Sequence, residues 1–292
     1  MTPDRIINTP IDHKKREEKG AVPVGEWTRY GSDPDNAFIR AALKLRGLGT
    51  LYDTYQYLPL HVKEVLNSVS YARERVNENP ESVMIAGCGQ NDIELTTLYK
   101  AFTPEKIIAA DISLKFLDTL VKRVKKTDTN TFSVTYPVLM DIGSLWPNEI
   151  ADGDGRVLKM DSFDLIFCNI VFNWLTKDEQ KQLFENVNRT LSVNGDFILA
   201  SLTDKWNSNE VKKHIPEQMR LNPLMTLLGA VGSRRWADRV AVTYGINRPS
   251  IEQIYELADN TGLEVSDLDG DRIFWRNSGG DPCAVVCHIK RK

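Results

Sequence analysis

The 292-residue sequence has no run of about 18 apolar residues, so no membrane-spanning helix is expected. Its polar beginning, MTPDRIINTPIDHKKREEKG, lacks the apolar stretch of a secretory signal. Positive charge is not in excess: 37 Lys and Arg face 40 Asp and Glu, for a net charge of −3. That balance carries no nucleic-acid footprint, so nucleic acid is not the expected partner. Cysteine is scarce, at Cys88, Cys168, Cys283 and Cys287. Four-residue spacing puts Cys283 and Cys287, with His288 beside them, on one face of an apparent strand. No second cysteine pair completes a tetrahedral set, so no metal is expected. What remains, at 41% hydrophobic and 26% charged, is an ordinary soluble globular protein, expected in the cytoplasm with reduced, buried thiols.

The informative stretch runs from Glu81 to Asp111, ESVMIAGCGQNDIELTTLYKAFTPEKIIAAD. Val83 to Ala86 is a short apolar run suited to a buried strand, broken by Gly87-Cys88-Gly89. Asn91-Asp92 can cap a helix, and Ile93 to Phe102 has helical spacing. Thr103-Pro104 ends that helix, and Ile107 to Ala110 is a second apolar run that stops at Asp111. Strand, glycine turn, helix, strand, acid is the plan of a nucleotide-binding βαβ unit. Glycines let the backbone approach a ligand without a Cβ in the way, and N–H groups at the helix start can meet an anionic group. An acid at the end of the second strand can accept from both ribose hydroxyls. Asp111 falls 22 residues after Gly89, near the spacing of about 20 that this role asks for.

Around this unit the chain divides into five parts. Residues 1–26, charged and poor in aromatics, read as a disordered or draped tail. Residues 27–80 read as an N-terminal helical section, with helices over Ala37 to Leu48 and Leu60 to Val76. Residues 81–203 form the core. There Leu114 to Val124 reads as a helix and Phe132 to Met140 as a strand ending at Asp141. Trp146 to Asp161 reads as a loop, and Phe163 to Cys168 as a strand with Asn169 at its end. Lys177 to Leu191 is then a helix closed by an Asn194-Gly195 turn, and Phe197 to Leu202 a fifth strand. Residues 204–249 break the alternation and read as a lid or acceptor-binding insertion. Residues 250–292 supply a helix and a late antiparallel pair. The expected fold is α/β: a doubly wound, mostly parallel, seven-stranded sheet with helices on both faces and an antiparallel last strand.

A dinucleotide site asks for GxGxxG, but here position 92 is Asp, and an acid at that helix start repels a pyrophosphate. It tolerates a zwitterionic amino-acid end, whose ammonium pairs with an acid. From Glu81 to about Leu202 the sequence resembles the class I S-adenosylmethionine-dependent methyltransferases. That resemblance implies S-adenosyl-L-methionine as cofactor, with Ala86, Gly87, Cys88 and Gly89 at its methionine end, Asp111 (with Ile112) at the ribose, and Asp141 with Ile142 at the adenine. FDLIFCNIVFNWL is similar to the family's strand-four signature and would place Asn169 and Ile170 beside the reactive sulfur. LSVNG resembles the turn before strand five. The chain departs from the pattern at Ile85, where an acid is usual, and at Asn91, where glycine is usual. Asp92 or main-chain carbonyls near Ala86 would then meet the ammonium, and Tyr30 or Arg29 would close over the carboxylate.

The implied activity is methyl transfer by in-line displacement to an O or N atom of a small-molecule acceptor, releasing S-adenosylhomocysteine. Positioning and water exclusion suffice for a carboxylate or neutral amine, whereas a phenol or alcohol wants a base. No catalytic residue is assigned; His61 and His214 are the candidate bases. Tyr52, Tyr55, Trp174 and Arg235 are candidates for the acceptor pocket. A protein or RNA acceptor, or a silent scaffold that keeps the fold, stands as the alternative.

Overall fold

The computed structural model describes residues 6–26, 59–76, 79–90, 92–151, 155, 157–206, 220, 243, 245–272 and 280–292. Its centre is the βαβ unit. Strand β2 (Ser82–Ala86) leads through the glycine turn to helix α3 (Asp92–Phe102) and strand β3 (Lys106–Asp111). Alternation along β2 feeds two cores, because successive strand residues point to opposite faces. Val83 and Ile85 pack with Leu95 and Leu98 of α3 and with Val65, Val69 and Ala72 of helix α2 (Pro59–Arg75). Met84 and Ala86 face the other way, toward Leu183, Phe184 and Val187 of helix α6 (Lys177–Thr190). Both faces of the sheet are therefore covered, and the strands read as near-continuous apolar runs.

Helix α4 (Leu114–Thr127) follows β3, helix α5 (Thr129–Val134) precedes strand β4 (Thr135–Leu139), and strands β7 (Phe163–Asn169) and β8 (Leu191–Leu202) flank α6. Helix α7 (Ile251–Asn260) and strands β9 (Leu263–Asp269) and β10 (Ala284–Arg291) finish the chain. With a two-residue strand β1 (Ile7–Asn8), the sheet has eight strands in the order β1-β4-β3-β2-β7-β8-β10-β9. Strand β10 runs antiparallel to both β8 and β9, and every other pairing is parallel. From β2 the order proceeds through β3 and β4 on one side and through β7 and β8 on the other. The crevice at the carboxyl ends of β2 and β7 is thus the topological switch point, where open α/β sheets bind ligands.

The α/β class, the doubly wound sheet and the antiparallel finish match the expectation. Four local readings differ. Of the two alternatives for the tail, disordered or draped, residues 6–26 follow the second and add regular elements: β1 pairs with β4, Thr9 donates its N–H and its hydroxyl to Leu139 O, and helix α1 (His13–Glu18) follows. Phe132 to Val134, read as the start of a strand, instead end helix α5, which Asp128 caps by accepting from Thr131 N at 3.0 Å. The segment expected as loop contains a small hairpin, β5 (Glu149–Ala151) with β6 (Val157–Lys159). The Asn194-Gly195 turn lies within β8, where the register against β7 shifts between Phe163 and Leu165. A Cβ on Gly195 would lie 2.7 Å from Phe163 O, so the irregularity needs glycine.

The expected helix over Ala37 to Leu48 and most of the 204–249 insertion lie outside the described residues. Cys283 and Cys287 sit in different cores, on opposite faces, because Cys283 precedes β10 and escapes its period of two. Among the described residues no group of three or more His, Cys, Asp or Glu is arranged to hold a metal ion. Nor is any described helix long and apolar enough to cross a membrane.

Candidate active site at the switch point

The glycine turn closes the carboxyl end of β2. Gly87 and Gly89 adopt φ of 78° and 58°, the left-handed region that L side chains avoid. A Cβ on Gly87 would come within 2.5 Å of Val171, so the turn and the loop after β7 are packed against each other. The turn's amides are already engaged: Gly87 N and Cys88 N both donate to Ala110 O, at 2.9 and 3.0 Å. Gly89 N donates to Asp111 Oδ2 at 2.8 Å. These three N–H groups are therefore committed inside the protein. Ala86 and Cys88 are buried, and Asp92 opens α3 half-buried. Burial pushes the Cys88 thiol well up, with the neighbouring Asp111 and Glu94 carboxylates adding to the shift.

Asp111 is 6% exposed at the end of β3. Its Oδ1 accepts from Ser113 N at 2.8 Å, while Ser113 itself caps α4. Burial raises its carboxyl to about 6, against the lowering effect of hydrogen bonds from Ser113, Gly89 and Ile112 amides. Ile112 beside it is half-buried.

Asp141 lies beyond β4 in a network that sequence reasoning missed. Arg16, delivered by α1, donates through Nη1 to Asp141 Oδ1 at 2.7 Å and to Glu179 Oε1 at 2.9 Å. Asp141 also accepts from Gly143 N and from the Ser144 hydroxyl. Glu179 accepts from Thr176 N through its other oxygen, completing the capping box of α6. Burial raises the Glu179 carboxyl, and Arg16 opposes the shift. Ile142 is buried beneath this network.

Across the crevice, β2 and β7 pair Ile85 with Phe167, which places Gly87 level with Asn169. Asn169 Nδ2 donates to Glu94 Oε2 at 3.0 Å, and its Oδ1 is buried with no hydrogen-bond partner. Ile170 adopts φ 63°, ψ −20°, a genuine outlier for a β-branched residue and a store of backbone strain at the site. A 3-10 turn over Val171–Trp174 follows, with Trp174 half-buried. Asn173 in that turn is fully engaged. Its side chain donates to Leu202 O and Asn247 O and accepts from Leu202 N, while Asn247 donates its N–H to Asn173 O. The two ends of the 204–249 insertion are clasped there, to each other and to the loop after β7.

His61 stands in α2, buried, with Nδ1 3.2 Å from Glu64 Oε2. Tyr30, Tyr52, Tyr55, His214 and Arg235 lie outside the described residues. The structure thus gathers the glycine turn, Asp111, Asn169 and Ile170 at one crevice and adds Glu94, while Arg16 and Glu179 join Asp141 beyond β4. Glu94 sits one residue before the apolar Leu95 and gives no sequence signal of its own. Thr176-Lys177-Asp178-Glu179 is a legible capping box.

Residues 84–199 match the family described as "Methyltransferase domain". No curated protein matches the sequence. Solved structures share the fold. The mitomycin 7-O-methyltransferase MmcR superposes with a TM-score of 0.52 at 11% identity, over 92% of this chain and 66% of that one. The CcbJ methyltransferase from Streptomyces caelestis gives 0.50 at 14%, over 80% and 96%. A chain from the complex between the Haloferax volcanii Trm112 methyltransferase activator and a putative methyltransferase gives 0.51 at 13%, over 87% and 94%. The glycine turn, Asp111 and the end of β7 at the switch-point crevice all lie within the residues that match that family. Residues 84–199 thus carry a methyltransferase domain, on a fold that solved methyltransferases share.

Proposed function

We propose that the chain methylates an O or N atom of a small-molecule acceptor, with the cofactor held at the β2–β7 crevice. The observation that carries the site is Asp111, whose buried carboxylate holds the glycine turn through Gly89 and faces the crevice end of β3. Bound S-adenosylmethionine supplies an electrophilic methyl group on its sulfur. The residues present fit that group. Asp111 offers carboxylate lone pairs to ribose hydroxyls, Asp141 with Ile142 borders the adenine side, and Asn169 with Ile170 borders the reacting centre. The engaged amides of Gly87, Cys88 and Gly89 shape the turn rather than bind the ligand.

The small acceptor is supported by the absence of a basic excess in the sequence and by the likeness in fold to a mitomycin methyltransferase. Asn173 is committed to the clasp, so the loop after β7 contributes no base from that position. A carboxylate or neutral amine acceptor requires none. For an acceptor that must lose a proton, His61 with its Glu64 partner is the described candidate.

Calorimetry with S-adenosylmethionine, S-adenosylhomocysteine and NAD tests the cofactor assignment, and acceptor screening follows. Asp111→Ala should weaken binding of both sulfur ligands by roughly tenfold or more, since it removes hydrogen bonds to a charged group. Unchanged affinity would refute the site. Label appearing in lysate protein or RNA, and in no small molecule, would transfer the reading to a macromolecular acceptor.

A further inference from the structure

We propose that Glu94 and Asn169 together form the seat for the ammonium of the cofactor's methionine end, with Glu94 as the charge partner. This rests on the cofactor assignment above and goes beyond it by naming the group that recognises the amino acid. An amino-acid zwitterion presents one cation and one anion, and its ammonium is a three-proton donor with no accepting capacity. The cation therefore requires acceptors. In the described part of the crevice, the turn amides are donors and are already engaged by Ala110 O and Asp111.

Glu94 meets the requirement. It enters from the first turn of α3, on the face of the sheet shared by Ile85 and Leu95. It is 5% exposed, and its Oε2 accepts from Asn169 Nδ2 at 3.0 Å. That bond runs from the helix after the glycine turn to the end of β7, so it spans the switch-point crevice. On the Asn169 side, Oδ1 is buried and unpartnered. A buried acceptor without a donor costs free energy. A carboxylate and an orphan amide oxygen carried by one hydrogen-bonded pair are complementary to a group that is all donor and positively charged. The charge state agrees: burial raises the Glu94 carboxyl to about 7, opposed by the Asn169 hydrogen bond, and a cation seated beside it would bring it down. Asp92, also in the first turn, is half-exposed. It is the poorer seat, because water competes for an exposed carboxylate.

The test compares two ligands that share the thioadenosine portion. S-adenosylmethionine carries the amino-acid end, and 5′-methylthioadenosine lacks it. Binding of each is measured calorimetrically to the wild-type full chain, to Glu94→Gln and to Glu94→Asp. Glu94→Gln should weaken S-adenosylmethionine by roughly ten- to hundredfold and leave 5′-methylthioadenosine within about twofold. Glu94→Asp, which keeps the charge but withdraws it, should fall between and secures the test if the Gln variant does not fold. Near pH 7, cofactor binding to the wild type should also release protons, read as a dependence of the binding heat on buffer ionisation, and Glu94→Gln should abolish that release. Equal weakening of both ligands would make Glu94 a structural residue and overturn this proposal while leaving the cofactor site intact. Unchanged binding of both would overturn it as well. Failure of the wild type to bind either ligand would overturn the placement of the cofactor itself.

Discussion

Glu94 and Asp111 are carboxylates held out of water on either side of the glycine turn, and this makes the stability of the ligand-free protein pH-dependent. The Glu94 carboxyl goes from an ordinary 4.5 when unfolded to about 7 when folded. Between those values the folded state holds a proton that the unfolded state has lost, so raising the pH weakens the fold through this group. Glu94→Gln removes the effect. Without cofactor, variant and wild type should differ little in stability below pH 4.5. They should diverge as pH rises, the variant being the more stable by roughly 1–3 kcal/mol above about pH 7. Denaturant unfolding at several pH values checks this, and a difference flat in pH counts against it. Asp111 was legible in the sequence because the end of an apolar run is a local feature. Glu94 was not, because only the seating of α3 aims it at Asn169, 75 residues away.

At the scale of elements, residues 6–26 show how a charged segment becomes part of a core. Strand β1 adds to the sheet edge through two residues, and α1 then carries Arg16 to two buried acids. Arg16→Ala leaves both carboxylates without their cation and should cost roughly 3–5 kcal/mol of stability. Glu179→Gln added to it removes one of the stranded charges and should recover part of that loss, so the two changes are non-additive. Thermal or denaturant unfolding of the four proteins closes the cycle, and additive effects would mean that the ion pair couples nothing. As sequence, this segment is polar with few apolar residues. Its order comes from partners 125 and 163 residues distant, which no local pattern announces.

At the scale of the whole molecule, strand order sets the function. Strands β3 and β4 extend to one side of β2, and β7 and β8 to the other, opening the crevice that the glycine turn, Asn169 and Glu94 share. A ligand that binds the folded crevice and not the unfolded chain must raise the unfolding free energy, by about 2.7 kcal/mol at a hundredfold excess over its Kd. S-adenosylhomocysteine should accordingly raise the melting temperature, and NAD should leave it unchanged. A rise with NAD alone would contradict the cofactor assignment. The Asn173 clasp belongs to this scale too, because it joins Leu202, at the end of β8 just before the insertion, and Asn247, near the insertion's far end, to the loop beside the crevice.

The βαβ plan, its glycine turn and the acids at the ends of β3 and β4 were determined by the sequence alone, because they are written in contiguous residues by apolar period, breaker and cap. The doubly wound class followed, since strands alternating with amphipathic helices have few ways to bury both faces. Tertiary structure alone decided which buried groups meet. It brought Arg16 to Asp141 and Glu179, aimed Glu94 at Asn169, occupied the turn amides with Ala110 O and Asp111, and committed Asn173 to the insertion. Each of these contacts joins residues far apart in the chain, and each is enforced because a polar group taken out of water must find a partner wherever packing places one.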